Sequence, residues 1–286
     1  MWLEVVLAGG SALAAVLLVY LYRSKFMLPR HPEAPDTPRS GNPADEVVLY
    51  SFPPVPGTLF STSPFGAKLE IFLRLANIPF TTKPADLARA PKGKVPYIQH
   101  GNNLIGDSTF IIRYLLATYG KPHQSYFGKL RLSLTPYEVS IGHMVQVLCE
   151  TNIYNALLWS RWLCGESDFV KNNFFGMIPR PIRGLIFAMV QRSMFDWLWG
   201  QGFIRHSPHD VVTLSKLDID AIDTLLGNKS FLFGDEPTVY DCTAFSFLEP
   251  FVNSDLELQG LRTYVCSKGR IVNFVNRMRH LIPQDK

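Results

Sequence analysis

From Val5 to Leu21 the chain runs almost unbroken in apolar residues (VVLAGGSALAAVLLVYL), with Glu4 before the run and Arg23, Lys25 and Arg30 behind it. Counted from Trp2 through Tyr22, the segment reaches the roughly 20 residues that cross about 30 Å of hydrocarbon. Trp2, Tyr20 and Tyr22 stand at its ends, where aromatic side chains favour the interface. The basic flank on the C-terminal side predicts one membrane-spanning helix over 1–24, with the remainder in the cytosol. A cleaved signal peptide would carry its basic residues ahead of the apolar run. Residues 25–45 follow as a linker, and five prolines between Leu28 and Ala44 predict an extended chain.

Beyond the linker the pattern shortens. Glu46–Tyr50 (EVVLY) is a β-rich run, and Pro and Ser fill the loop after it. Leu69, Phe72, Leu73 and Ala76 recur at helical spacing within Gly66–Asn77, with Ser63 and Pro64 placed to open that helix. Strands are predicted at Ile78–Thr82 and Lys94–His100. Gly101-Asn102-Asn103 turns into a short strand at Leu104 and Ile105. Asp107-Ser108-Thr109 then caps a helix over Phe110–Tyr119 that stops at Gly120. This order, β-α-β, hairpin, α, predicts a small four-stranded sheet with helices on its faces over 46–121. From 130 to 286 the pattern is helical, clearest at Val139–Trp162, Pro181–Leu198, Val211–Leu226 and Tyr240–Phe251. No internal repeat is visible.

Composition narrows the function classes. Of 286 residues, 47% are hydrophobic and 18% charged, and the net charge is +4. No Lys/Arg run interleaved with aromatics is present, which argues against nucleic acid as a partner. Cys149, Cys164, Cys242 and Cys266 form no CxxC pair and have no partner at zinc spacing, so reduced thiols are expected and no metal site. His206 and His209, in RHSPHD, are better read as a capped helix start than as a metal pair. Trp159, Trp162, Trp197 and Trp199, with Phe174 and Phe175, are mostly expected in the core, an exposed subset being free to meet a partner or a lipid surface.

The pieces SPFGAKLEIFLRLANIPF, GKVPYI (Gly93–Ile98) and DST (Asp107–Thr109) together resemble the thioredoxin-like domain of glutathione transferases. FLFGDEPTVYDCTAFSFLEPF (Phe231–Phe251) resembles the helix-capping segment of their all-α C-terminal domain, with Thr238 as cap and Asp241 three positions on. Within that superfamily the proline-bearing loop SFPPVPGTLFSTSPF and the stretch GFIRHSPHDVV are similar to the failed axon connections family and its metaxin relatives. The resemblance covers about Glu46 to Ser267. It implies a thioredoxin-like α/β domain followed by a helical transferase C-terminal domain, here behind one transmembrane helix.

The resemblance also assigns residues to glutathione as co-substrate. The Val95-Pro96 bond is expected cis, leaving the Val95 backbone groups to pair with a peptide ligand. Ser108 and the helix start behind it suit the γ-glutamyl carboxylate, and Asp107 its ammonium. Both also suffice as a plain helix cap. Lys94 is positioned for the glycyl carboxylate, or is a solvated charge. Ser63, with Thr62 beside it, stands where the fold puts its reactive residue and can donate to the glutathione sulfur, or serve only as an N-cap. The failed axon connections pattern reads SPFC where this chain reads SPFG, so Gly66 removes thiol redox chemistry from that site.

Two functions are carried forward. One is a membrane-anchored transferase joining glutathione to small apolar electrophiles. The other is a non-catalytic, metaxin-like interaction protein with a protein partner. The anchor suits the mitochondrial outer membrane or the endoplasmic reticulum, and a homodimer is compatible with the superfamily.

Overall fold

The computed structural model describes residues 38, 41–54, 59–120, 126–164, 167–176, 178–253 and 260–283. The membrane helix expected over 1–24 lies outside them, as does most of the linker. Among the described residues no helix is long and apolar enough to cross a membrane. Thr37–Lys286 forms one compact unit.

The sheet is built around β1 (Val47–Ser51), whose Val47, Val48 and Leu49 are all buried. β2 (Phe80–Pro84) lies parallel to it on one side, in the register Val47 to Phe80. β3 (Tyr97–His100) runs antiparallel on the other, with Leu49 opposite Ile98, and β4 (Asn103–Gly106) closes the hairpin. The strand order is β2-β1-β3-β4, the thioredoxin-like arrangement that the resemblance implies. β3 starts at Tyr97 rather than at Lys94, because Pro96 has no N–H for a ladder; the Val95-Pro96 bond is cis, as expected. β2 is an edge strand with an exposed pattern, which is why Pro84 is tolerated at its end.

α1 (Pro64–Leu75) crosses from β1 to β2, with Ser63 as N-cap and Pro64 in its first turn. α2 (Ser108–Tyr119) follows β4, with Asp107 as N-cap. α3 (Pro136–Leu148) opens with a capping box between Thr135 and Glu138. The sequence predicts one regular helix over Val139–Trp162. Instead the rod passes through a π-helical turn at Cys149–Ile153, a short α4 (Tyr154–Leu158) and a second π-helical turn at Trp159–Cys164. Each π turn widens the helix and shifts the phase of the side chains beyond it.

α5 (Ser167–Phe174), α6 (Arg180–Gly200), a 3-10 turn at Phe203–Arg205 and α7 (Pro208–Leu226) come next. Ser207 caps α7 with Pro208 in its first turn, so the RHSPHD stretch is a capped helix start. α8 (Val239–Asn253), α9 (Leu261–Ser267) and α10 (Gly269–Leu281) complete the helical part. α5, α9 and α10 are additions to the sequence reading. α10 carries Ile271, Phe274, Val275 and Met278 on one buried stripe, set among charged neighbours that blur the pattern.

α1 is buried on nearly all sides because the sheet covers one flank and α8 the other. Its apolar residues face both coverings, and Lys68 and Glu70 are buried among them. Phe65 meets Phe247 edge-on with centroids 5.1 Å apart, and Phe60 meets Phe245 at 5.9 Å, contacts worth about 0.5–1.5 kcal/mol each beyond their burial. The capping segment before α8 has the expected form. Asp241 Oδ1 accepts from the Leu232 N–H (2.8 Å), while Oδ2 accepts from the Thr238 N–H (2.8 Å) and hydroxyl (2.7 Å). Burial pushes this carboxyl up to about 6, against the pull of those donors.

Candidate functional site

The start of α1 is held by a chain of hydroxyls. Ser51 and Ser61 share a buried hydrogen bond of 2.9 Å, Ser61 Oγ accepts the Ser63 N–H at 3.2 Å, and Ser63 Oγ accepts the Gly66 N–H at 3.4 Å. A Cβ on Gly66 would overlap the Ser51 hydroxyl and stand 2.7 Å from Ser61 Oγ. The SPFG departure is therefore more than a missing thiol: the serine pair occupies the space a side chain would need.

Thr62 and Ser63 are half-buried. The Thr62 carbonyl accepts from Arg161 Nη1 at 3.3 Å. Arg161 belongs to the second π turn, and its guanidinium lies 5.1 Å from the centre of the Phe174 ring. Burial pulls its pKa down to about 10, with Tyr154 and Glu249 acting in the opposite sense, so it stays charged at neutral pH. Its Nε is buried and has no hydrogen-bond partner. Tyr154, edge-on to Phe65 at 5.0 Å, has its phenol raised by burial, with Arg161 working against the rise.

At the start of α2, Asp107 adopts φ 79°, a backbone region that ordinary residues seldom occupy. Its Oδ1 accepts from the Thr109 N–H (3.0 Å) and the Phe110 N–H (3.3 Å). Ser108 is buried in the first turn. Thr109 Oγ1 accepts from Gln146 Nε2 (2.7 Å) and Lys68 Nζ (3.4 Å), and Lys68 pairs with Glu150 at 2.6 Å. Lys68, on α1, is almost wholly buried, so this cluster binds both helix starts to the helical part.

Lys94 is exposed, with its Nζ 4.9 Å from the centre of the Trp197 ring. Trp197 donates to Asn155 Oδ1 at 3.4 Å. Val95 is half-buried and Pro96 buried. The rod from Pro136 to Cys164 thus reaches all three places that the sequence singles out. Gln146 touches the α2 start, Glu150 holds Lys68 of α1, Asn155 meets Lys94 through Trp197, and Arg161 holds Thr62.

Lys68, Glu150 and Arg161 were not anticipated from the sequence. Their signal was present: a lysine within the buried α1 stretch, and an arginine between Trp159 and Trp162. A charge inside an apolar run marks a paired or ligand-facing group. Tyr50 stacks on Tyr97 with centroids 4.6 Å apart. Among the described residues, no group of His, Cys, Asp and Glu is arranged to hold a metal ion. Trp159 is buried, whereas Trp197 and Trp199 are exposed. Cys149 and Cys242 are buried with their thiols raised by desolvation, Cys164 is intermediate and Cys266 is exposed, and all four are free.

Two family models match the chain. That of the glutathione S-transferase N-terminal domain covers residues 64–167, and that of the C-terminal domain covers 215–278. The chain belongs to the glutathione-transferase superfamily. Among its relatives, the isoprene-epoxide–glutathione S-transferase of Rhodococcus sp. (strain AD45) is 27% identical over 241 residues, which span 82% of this chain and 98% of that protein. Failed axon connections of Drosophila melanogaster is 27% identical over 257 residues, 82% of this chain but 57% of that longer protein. Metaxin-2 of Homo sapiens is 20% identical over 237 residues, 80% of this chain and 85% of its own length. Among solved structures, poplar glutathione transferase F1 superposes with a TM-score of 0.51 at 17% identity, over 82% of this chain and 96% of that one, a likeness of fold. This superfamily member thus has relatives named for a transferase activity and relatives in the failed axon connections and metaxin group.

Proposed function

We propose that this chain binds glutathione and presents its thiolate to a small apolar electrophile, from a position tethered to a membrane by residues 1–24. The observation that carries the reading is the single helical rod touching the starts of α1 and α2 and, through Trp197, Lys94. The donor set fits an anionic, thiol-bearing tripeptide: two helix N-termini, one exposed cation and one half-buried cation. Ser63 and Thr62 would lie against the sulfur, Lys94 against the glycyl carboxylate, the Val95 backbone and Pro96 along the peptide, and Asp107 and Ser108 at the γ-glutamyl end. In the reaction the sulfur lone pair forms the C–S bond, and the bond that breaks at that carbon carries its electron pair to the leaving atom. The aromatic side chains of Trp162, Phe174 and Tyr154 near Arg161 suit an apolar electrophile, and the epoxide named for the Rhodococcus relative is the class to try first.

The test is calorimetric titration of the full chain in detergent with glutathione, beside Lys94→Ala and Asp107→Ala. Binding of millimolar strength or better, weakened at least several-fold by either substitution, supports the reading; no heat up to about 10 mM refutes it. Asp107→Ala also removes a cap, so its fold is checked by circular dichroism.

A second reading draws on a separate observation. Ile182, Leu185 and Met189 form an exposed apolar stripe on α6, and Tyr137, Met144 and Val147 form another on α3. Together with the Metaxin-2 and Failed axon connections relatives, these faces support an interaction protein that docks a partner or a second copy at the mitochondrial outer membrane or the endoplasmic reticulum. Cell fractionation with protease protection tests the tether and its cytosolic orientation.

A further inference from the structure

Among the described residues Arg161 has no carboxylate at ion-pair distance. Its Nη1 donates to the neutral Thr62 carbonyl and its face meets Phe174, but its Nε–H is buried and unpaired. Glu249 acts on Arg161 only through space and sits by Arg279 at 3.8 Å. A guanidinium taken out of water is costly unless its charge and its donors are met. Lys68, which is buried, has its carboxylate at 2.6 Å. Arg161 also donates to Thr62, the residue before the N-cap of a 12-residue helix, whose dipole adds positive potential at the same place.

We propose that the Arg161 guanidinium pairs with the sulfur of bound glutathione, donating to the thiolate at the start of α1 from the part of the group that its contact with Thr62 leaves free. This deepens the transferase reading and rests on it. It assigns the cationic partner of the sulfur to the helical domain, beside Ser63, whose Oγ accepts the Gly66 N–H and keeps its own O–H to donate. The second π turn gives the assignment its geometry, because it lies where the rod turns Arg161 onto Thr62.

The test compares two ligands that differ only at sulfur, so that damage to the fold cancels in the ratio. Glutathione sulfonate carries a fixed negative charge there, and S-methylglutathione carries none. Calorimetry of the full chain should give sulfonate about a tenfold advantage, the scale of one charge-assisted hydrogen bond. Arg161→Met should bring that ratio close to one, and Arg161→Lys should keep most of it. The ultraviolet thiolate band of bound glutathione should shrink at neutral pH in Arg161→Met and persist in Arg161→Lys. Equal binding of both ligands to the unsubstituted chain overturns the assignment while leaving the transferase reading intact, and so does a preference that survives Arg161→Met. If neither ligand nor glutathione binds the unsubstituted chain, the transferase reading fails and this assignment with it. Should Arg161→Met not fold, the unsubstituted ratio and Arg161→Lys still decide.

Discussion

Gly66→Ala adds one methyl group to the third position of α1, where the chain departs from the SPFC pattern. On the helix alone, Ala in place of Gly should gain up to about 1 kcal/mol. The surroundings oppose this. The new Cβ overlaps the Ser51 hydroxyl and lies 2.7 Å from Ser61 Oγ, and both hydroxyls are buried partners of each other. Forcing a methyl into a filled site costs about 1–3 kcal/mol. Parting the two hydroxyls costs about 1–3 kcal/mol more, because neither has water to turn to. The net expectation is a loss of about 3 kcal/mol. Urea unfolding of the full chain, followed by tryptophan fluorescence, measures it. Ser51→Ala removes the overlapped oxygen, so in the double variant about 1–2 kcal/mol of the Gly66→Ala cost should return as a favourable coupling. Because Ser61 also accepts the Ser63 N–H, glutathione affinity should fall in Gly66→Ala and recover in the double variant. A Gly66→Ala chain within about 0.5 kcal/mol of the unsubstituted one, or strict additivity with Ser51→Ala, would refute the packing argument.

Two further expectations concern how the helical part is fastened. Lys68→Met leaves Glu150 facing Gln146 and a nearly closed interior, and the loss of one partner from such a pair should cost about 3 kcal/mol or more in the same unfolding assay. Lys68→Met with Glu150→Met should cost less than Lys68→Met alone, and the opposite order would disprove the pairing. Hydrogen bonds from Arg131 and from the Thr135 backbone and hydroxyl hold the Glu138 carboxyl at about 2, below its ordinary 4.5. A depressed carboxyl stabilises the fold above its unfolded value and loses that contribution as pH falls toward its folded one. Between about pH 4.5 and 2, the stability of the unsubstituted chain should therefore fall more steeply than that of Glu138→Gln, and parallel curves would remove Glu138 from the acid limb.

The sheet could be read from the sequence because local signals agreed there: a β-rich run, a capped helix, a hairpin turn and a second capped helix in the right order. Strand limits were less legible. β3 loses its first expected residues to Pro96, and β2, as an edge strand, shows little alternation. The long rod misled the periodicity reading, since a 3.6-residue repeat cannot register two π turns. That same irregularity hid the site residues of the helical part. Glu150 and Arg161 fall within the π turns, where phase no longer tells which way a side chain faces. Lys68 was hidden for another reason. On a helix covered on both flanks nearly every position is interior, and a lysine there is explained only by the carboxylate that a distant segment brings to it.

Ser63 caps α1, Asp107 caps α2 and Lys94 rests on Trp197. Each of these contacts would survive in a chain that had kept the fold and lost the chemistry, so none of them separates an enzyme from an adaptor. The separating residue has to be one whose surroundings make sense only with a ligand present. Arg161 is such a residue, because an adaptor gains nothing from keeping a half-buried guanidinium, its Nε–H buried and unpaired, beside a helix N-terminus. Were the chain only a docking module, Arg161→Met would be expected to leave stability unchanged or improved, as replacing poorly compensated buried charges often does. Were it a transferase, the same substitution would relieve the fold and weaken its hold on the sulfur at once. Stability and ligand preference moving in opposite directions in one variant is the signature of a site maintained for binding, and it can be read before any electrophile is known.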